Sequence, residues 1–335
     1  MNFRFWMLDF RFEHGRQRKR KSKIQNPKFL LCVLCVFAAS GLASQARAGL
    51  AGDAAQFVQA YDSLAALLVQ IDGERQALSA DIGNLAKVHQ DTVRFFDDRA
   101  LAFAARSAKQ TDRRQVRVDL GFRQAAMARA AKGTGVLAQD AASYIAAYDA
   151  WVALQQQVVL DIAGLRGALD QNDLAGLESA ARAFFADNRA RLQKRLQWQQ
   201  DLSSMRKDLG FKATGKPLPP DKGPLAVHVQ EFLNDRAAWE SYGRLVGIDR
   251  NNLRAAVQGG QSLDAIAGSF LGDRHSQYLK GLELGLDLKA MRKDVGLGSS
   301  WAKELKPGAL FAGSDLDKDE ESGSLEETAD TSGAK

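Results

Sequence analysis

The sequence predicts an all-α fold, an elongated bundle or rod of long antiparallel helical hairpins in three degenerate repeats of about 87 residues. Two apolar residues with an Asp three positions after the first recur three times, and 24 residues after each first Phe an Asp-apolar-Gly-apolar sequence follows. One inserted residue rotates the rest of a helix by about 100°, so a constant spacing predicts one rigid, packed helix. Internal periodicity of this kind is the first guide to architecture. The copies begin at Phe95, Phe184 and Phe270, and their closing sequences begin at Asp119, Asp208 and Asp294.

Apolar residues spaced alternately by three and four predict the first helix of each repeat. This 3.5-residue period is typical of left-handed coiled packing between helices. Each series has one polar member, Arg75 or Gln155, which either fixes the register or lies at a wet edge. A weaker third copy is expected around residues 239–245, with Tyr242 in the tyrosine position. The first two series are Phe57, Tyr61, Leu64, Leu68, Ile71, Arg75, Leu78 and Ile82, and Tyr144, Tyr148, Trp151, Gln155, Val158, Ile162, Leu165 and Leu169.

The Asp-apolar-Gly-apolar sequence predicts how the second helix of each repeat ends. A glycine just beyond a helix adopts the left-handed conformation, and the next apolar residue then folds back onto the helix. Phe122, Phe211 and Leu297 occupy that place. Helix capping is therefore the favoured interpretation, and a repeated docking site for a partner is the alternative.

Breaks separate the helices where a hairpin requires them. Gly83-Asn84 and Asn172-Asp173 divide the two helices of the first and second repeats. Residues 212–224 contain four of the six prolines and cannot form the interior of a helix. We interpret them as a semi-rigid linker, so the third repeat is expected to form a separate lobe. The predicted organisation is a signal peptide at 1–48, helical hairpin repeats at 49–132, 136–211 and 225–312, a Pro-rich linker at 212–224 and a disordered acidic tail at 313–335.

The N-terminal 48 residues have the order of a secretory signal peptide: a basic cluster, an apolar run at 29–43, and Ala46-Arg47-Ala48 for the peptidase. The apolar run of 15 residues is shorter than the ~20 that span a bilayer as a helix. The protein is therefore predicted to be periplasmic, and an inner-membrane protein anchored by residues 29–43 is the alternative. Both cysteines, Cys32 and Cys35, lie in this segment, so the core alone must stabilise the exported chain.

The net charge of +6 comes from this N-terminal segment. Beyond residue 48 the chain has 36 basic and 38 acidic residues, which is near balance for its length. Proteins that bind nucleic acid or anionic membranes carry a basic excess on one face, so the sequence predicts neither partner. Membrane contact is expected only through an uncleaved N-terminal segment.

Motifs for catalysis and for metal binding are missing from the sequence. Gly-x-Ser-x-Gly, phosphate-binding glycine loops and His-Glu-x-x-His do not occur. The three histidines beyond the leader hold non-equivalent positions in the repeat, and the spacing of His228 to Glu231 is isolated. The sequence therefore predicts a protein that is not an enzyme and holds no metal or cofactor. Three Asp-Arg pairs are interpreted as solvated or interhelical charges: Asp98-Arg99, Asp235-Arg236 and Asp273-Arg274.

The predicted function is that of an exported, non-enzymatic helical scaffold or adaptor in the bacterial cell envelope, acting through protein–protein contacts. An envelope protein or a second copy of the chain is the expected partner. The alternative is a periplasmic helical bundle that binds a small molecule or a lipid between its helices. Basic side chains on the second helix of repeat 2 are the candidate partner-binding residues: Arg189, Arg191, Lys194, Arg195, Arg206 and Lys207.

Overall fold

The computed structural model describes residues 49–122 and 127–297, and in these residues the only regular secondary structure is α-helix. Consecutive helices pack as antiparallel pairs, so the predicted all-α fold of long helical hairpins is confirmed. The predicted signal peptide and the acidic tail at 313–335 lie outside the described residues. Hairpin 1 comprises α1 (Leu50–Ala80) and α2 (Leu85–Asp119), hairpin 2 comprises α3 (Leu137–Asp170) and α4 (Leu174–Asp208), and hairpin 3 comprises α5 (Leu225–Gly259) and α6 (Asp264–Asp294).

The ends of the second helices have the predicted capping geometry. Gly121, Gly210 and Gly296 adopt left-handed φ angles of 68°, 58° and 73°. The backbone N–H of the following apolar residue donates to a carbonyl five residues earlier, as from Phe122 to Arg117 at 3.1 Å. The same bond occurs after α4 and α6, and together with the bond from each glycine it forms a Schellman motif. The helix-capping interpretation is therefore confirmed for all three repeats.

The turns inside the first two hairpins lie at the predicted breaks. Asn84 caps α2 by accepting a hydrogen bond from the backbone N–H of Lys87, and Asp173 caps α4 by accepting one from Gly176. Such caps satisfy backbone N–H groups that the first helical turn leaves without partners. A 35-residue helix such as α2 is about 50 Å long at 1.5 Å per residue, so each hairpin is a long rod.

Aromatic contacts at equivalent positions join each hairpin to the next. Each hairpin has a loop end, at the turn between its helices, and an open end, where the chain enters and leaves. Phe57 at the open end of hairpin 1 contacts Phe184 at the loop end of hairpin 2, with ring centroids 5.3 Å apart. The equivalent rings of hairpins 2 and 3 are those of Tyr144 and Phe270, also 5.3 Å apart. The open end of hairpin 3 returns to the loop end of hairpin 1 through Phe232 and Phe95 at 5.7 Å.

The buried core follows the same cycle. It consists of three apolar clusters, and each combines the open end of one hairpin with the loop end of another. The first helices, α1, α3 and α5, also contact one another in pairs. Each hairpin therefore packs its open end against the loop end of one neighbour and its loop end against the open end of the other. This head-to-tail arrangement closes after three hairpins.

The third hairpin is not a separate lobe, so this expectation from the proline-rich segment was wrong. Hairpin 3 shares one apolar cluster with hairpin 1 and another with hairpin 2. Residues 212–224 are non-helical, as predicted, but they are bonded to hairpin 3. The backbone N–H of Leu218 donates to Glu283 at 2.8 Å, and His275 bonds the carbonyl of Thr214 at 2.5 Å. These contacts hold the segment against the hairpin that follows it.

The register predicted for the first helix of repeat 3 was also wrong. The buried aromatic position of Phe57 and Tyr144 is taken by Phe232, which is 1% exposed. The tyrosine position four residues later is then taken by Arg236, and Tyr242 is only half-buried. The error arose because Arg replaces Tyr at this position, so the aromatic pattern pointed to a later tyrosine.

We expect Phe270→Ala to lower the free energy of unfolding by about 3–5 kcal/mol, because Phe270 is fully buried at the junction of hairpins 2 and 3. Phe103→Ala is the control, since Phe103 is 36% exposed on α2, and its cost should stay below about 1 kcal/mol. Urea denaturation followed by circular dichroism measures both. Equal losses of unfolding free energy in the two variants would show that the junction contact does not stabilise the fold more than an exposed side chain does.

Candidate functional site

The six predicted partner-binding residues do not form one surface. Arg191 and Arg195 are each 7% exposed and face the interior, and Arg206 is half-buried. Arg189, Lys194 and Lys207 are exposed. At about 100° per residue, Arg191, Arg195 and Arg206 fall within one side of α4, and Arg189 and Lys207 fall on another. The structure therefore divides the predicted strip into a buried part and an exposed part.

Acidic side chains face one another across the open ends of hairpins 1 and 2. Asp53 on α1 and Asp119 on α2 share a hydrogen bond, and so do Asp140 and Asp208 in hairpin 2. A hydrogen bond between two carboxyl groups requires one proton, because an ionised carboxylate only accepts. Burial and the neighbouring Asp119 raise the pKa of Asp53 to about 6. Burial and Asp140 likewise raise the pKa of Asp208.

Hairpin 3 has a histidine at the equivalent place. The Nδ1 atom of His228 on α5 lies 2.5 Å from Oδ2 of Asp294 on α6. Its Nε2 atom lies 2.6 Å from the carbonyl oxygen of Asp221. Burial lowers the pKa of His228, but the two acceptors outweigh it, so the pKa is raised. The open end of hairpin 3 therefore favours an ion pair where the other two hairpins place two carboxyl groups side by side.

A second set of acid pairs lies near the loop ends, again at equivalent positions. Asp161 shares a hydrogen bond with Asp187 in hairpin 2, and Asp249 shares one with Asp273 in hairpin 3. Burial, and then the neighbouring Asp98, raises the pKa of Glu74 at the same place in hairpin 1. Carboxyl pairs are therefore a regular feature of the contact between the two helices of a hairpin.

Basic side chains lie over aromatic rings, both across the contacts between hairpins and within a hairpin. The guanidinium carbon of Arg250 lies 3.8 Å from the centroid of Tyr148, and its Nε donates to the hydroxyl of Tyr144 at 3.1 Å. Such contacts stabilise a cation in an apolar setting. Across hairpins, the exposed Arg182 lies over Phe122, Arg274 over Trp198 and Arg292 over Phe96. Within a hairpin, Lys109 lies over Tyr61, Arg99 over Phe95 and Arg236 over Trp239.

The junction of hairpins 3 and 1 concentrates five arginines, which we call the arginine cluster. Arg99 on α2 is 9% exposed, and its guanidinium lies 5.1 Å above the ring of Phe95. Its Nε and Nη2 atoms have no hydrogen-bond partner within residues 49–122 and 127–297. Burial, and then the other four arginines, lowers the pKa of Arg99 to about 9. The members of the arginine cluster are Arg75, Arg99, Arg106, Arg236 and Arg292.

Carboxylates pair with Arg75 and Arg236 in the arginine cluster. Arg75 pairs with Asp72, and Nε of Arg236 donates to Glu240 at 2.7 Å. The Nη1 atom of Arg236 has no hydrogen-bond partner among the described residues. Hairpins 1 and 3 therefore each contribute a guanidinium group with N–H donors directed away from any acceptor among the described residues. Because acceptor-rich anions suit such donors, the arrangement is a candidate anion-binding site.

The sequence interpretation of Asp98-Arg99 missed this site. Both residues were read as solvated or interhelical charges, and both are buried, at 7% and 9% exposure. The available signal was the four-residue spacing from Phe95 to Arg99, which places both side chains on one face of α2. Arg75 gave a second signal, because it stands in the apolar series of α1. Neither signal indicates that these faces meet hairpin 3.

Within residues 49–122 and 127–297, no three His, Cys, Asp or Glu side chains are grouped so that they could hold a metal ion. None of the helices described there is long and apolar enough to cross a membrane. Comparison with family models, curated proteins and solved structures finds no match to this chain.

Stability should depend on pH through the acid pair of hairpin 1. The pKa of Asp53 is about 6 in the folded chain and 3.8 in a free side chain. The stability that protonated Asp53 contributes to the fold is therefore complete below pH 3.8 and is lost as the pH rises through about 6. We expect Asp53→Asn to remove this loss, leaving the variant more stable than the wild type at pH 7.5 by on the order of 1–2 kcal/mol. Urea denaturation at several pH values measures the difference.

The control is Asp62→Asn, since Asp62 is exposed on the same helix. The control should keep the wild-type pH dependence, including the part that His228 contributes above pH 6.5 as it loses its proton. Parallel pH profiles for wild type and Asp53→Asn would show that Asp53 and Asp119 do not share a proton.

Proposed function

We propose that this protein is a non-enzymatic binding protein of the bacterial cell envelope that holds a small anionic molecule between hairpins 1 and 3. The observation that carries the proposal is the buried guanidinium of Arg99, with two nitrogen atoms that find no hydrogen-bond partner in the part of the chain that the structure describes. Placement in the envelope rests on the signal peptide predicted for residues 1–48.

The energetics of a buried cation support an anionic ligand. Removing a charged group from water costs several kcal/mol unless another charge and hydrogen bonds compensate it. Four further guanidinium groups near Arg99 lower its pKa and so add to this cost, although carboxylates pair with two of them, Arg75 and Arg236. An anion seated among them would supply both the missing charge and the missing acceptors. Nothing comparable is needed at Arg250, because a tyrosine hydroxyl accepts from it and a second ring stacks on it.

The position of the arginine cluster suits a binding site. Ligand sites of helical bundles are formed by side chains on facing helices, and the cluster draws on α1, α2, α5 and α6. The Phe95–Phe232 contact lies at the same junction and holds the two hairpins together. This contact fixes the position of hairpin 3 relative to hairpin 1 beside the arginine cluster.

We expect small anions in a metabolite panel to raise the melting temperature of the purified protein, and neutral analogues to leave it unchanged. A ligand at 100 times its Kd stabilises the folded state by about 2.7 kcal/mol. Arg99→Gln should abolish the response. The control is Arg94→Gln on the same helix, because the side chain of Arg94 is 57% exposed and outside the cluster.

A response that survives Arg99→Gln, or a panel in which no anion changes the melting temperature at constant ionic strength, would contradict this function. Constant ionic strength is needed because general screening also changes stability.

A scaffold or adaptor role remains the second candidate. It is favoured by the basic side chains that α4 does expose, Arg189, Lys194 and Lys207. Exposed apolar residues at equivalent positions, Leu160 at 62% and Ile248 at 54%, add contact area. An acidic envelope partner or a second copy of the chain would meet this surface.

For the scaffold role we expect crosslinking in cells to capture a specific partner or a second copy. Charge reversal by the double substitution Arg189→Glu and Lys207→Glu should remove that crosslink, because the two side chains lie on one side of α4. Charge reversal at Arg254, which pairs with Asp149 on α3, is the control and should leave the crosslink intact. A monodisperse monomer that yields no crosslinked species would exclude the role.

A further inference from the structure

We propose that the ligand of the arginine cluster carries a phosphate-type oxyanion and binds across the junction of hairpins 3 and 1, contacting Arg99 from one hairpin and Arg236 from the other. This inference rests on the proposed function, since it names the chemical class of the anion. It adds that the anion joins two hairpins rather than sitting within one.

The number of donors favours a tetrahedral anion. Arg99 offers Nε and Nη2, and Arg236 offers Nη1, so three nitrogen atoms on two guanidinium groups lack an acceptor. A carboxylate has two oxygen atoms in one plane and is matched by a single guanidinium fork. A phosphate group has at least three strong acceptor oxygens in different directions and carries up to two charges near neutral pH. It can therefore bind guanidinium groups from two sides at once.

The aromatic rings hold the guanidinium planes in place. The guanidinium of Arg99 lies 5.1 Å above Phe95, and that of Arg236 lies 4.9 Å above Trp239. A guanidinium that stacks on a ring through its face leaves its N–H edges available for hydrogen bonds. Glu240 adds to this order, because it binds Nε of Arg236 and restricts the side chain. The donors are thus oriented before the anion binds, as selective oxyanion sites require.

Burial decides between a soluble phosphate and a lipid headgroup. Arg99 is 9% exposed, and the side chain of Arg236 is 14% exposed. The surface of a bilayer cannot reach groups that lie this deep between four helices. The occupant is therefore a small soluble molecule with a phosphate group, and inorganic pyrophosphate and inorganic phosphate are the simplest probes.

Binding across the junction has a consequence for the cycle of hairpins. The anion would neutralise part of the positive charge that opposes the approach of hairpin 3 to hairpin 1. Its binding energy would then add to the Phe95–Phe232 contact at the same junction. By linkage, the ligand stabilises the closed arrangement to the extent that the open arrangement cannot bind it.

The test titrates the purified protein with inorganic phosphate and with pyrophosphate at constant ionic strength, using calorimetry and thermal melting. We expect one site, and at 100 times the Kd a rise in melting temperature of about 5–10 °C. Arg99→Met should weaken binding at least 100-fold, and Arg99→Lys at least tenfold, because Lys keeps the charge but loses the fork.

The matched control is Arg274→Met. Arg274 occupies the position of Arg99 in repeat 3, is 8% exposed and stacks on Trp198, but it lies at the junction of hairpins 2 and 3. Its substitution should leave phosphate affinity within about twofold of wild type, as expected for a site that does not share residues with it. Loss of binding in both variants would overturn the assignment to one junction.

A second readout is independent of affinity. Without a ligand, Arg99→Met should melt at the wild-type temperature or above it, because an apolar side chain replaces a buried charge among like charges. If Arg99 only supports the fold, the variant melts lower and phosphate leaves the wild type unchanged. That pair of results would refute the site.

Further binding measurements distinguish a failure of this inference from a failure of the proposed function. An Arg99-dependent response to acetate or malonate but not to phosphate would refute the phosphate class and leave the proposed function standing. No response to any anion would refute both. Binding to phosphatidylglycerol vesicles without binding of soluble phosphate would show that the source of the oxyanion is a lipid, against the argument from burial.

Discussion

Contact between Phe95, Phe184 or Phe270 and an aromatic ring on another hairpin is the interaction on which the architecture depends. Each of these residues begins a repeat motif and lies at the loop end of its hairpin, and each ring it meets lies at an open end. Because every hairpin makes one such contact at its loop end and one at its open end, the three hairpins form a closed cycle. The apolar clusters surround these contacts, so the core is distributed over three junctions rather than placed within any one hairpin.

Buried acid pairs and the best-partnered buried arginine occupy different contacts in the fold. Acid pairs lie within hairpins, where a shared proton or a histidine allows two carboxyl groups or an ion pair to be buried. Arg250 and Arg274 lie between hairpins, where aromatic rings can take the guanidinium faces. Arg250, between hairpins 2 and 3, donates to the hydroxyl of Tyr144, and Arg191 donates within hairpin 2 to the amide of Gln155. The junction of hairpins 3 and 1 differs because it places five arginines together, and this difference is what suggests a ligand.

Much of the fold could be predicted from the sequence because helix geometry is local. The 24-residue spacing and the closing glycines determine where the second helices run and how they end, and the structure confirms both. The register of α5 failed at Arg236, where a basic residue replaces the expected tyrosine. The candidate site was missed for a similar reason: Arg99 and Arg75 occupy positions of the apolar pattern, and a pattern of apolar residues does not report what a buried cation faces.

The sequence by itself determined that this protein is helical, repeated and arranged in hairpins, since spacing, capping and turn residues act over a few helical turns. Only the tertiary structure decided that hairpin 3 returns to hairpin 1, and that Arg99 and Arg236 therefore belong to one site. The two arginines are 137 positions apart in the chain. Their proximity depends on how whole hairpins pack against one another, which no local periodicity encodes.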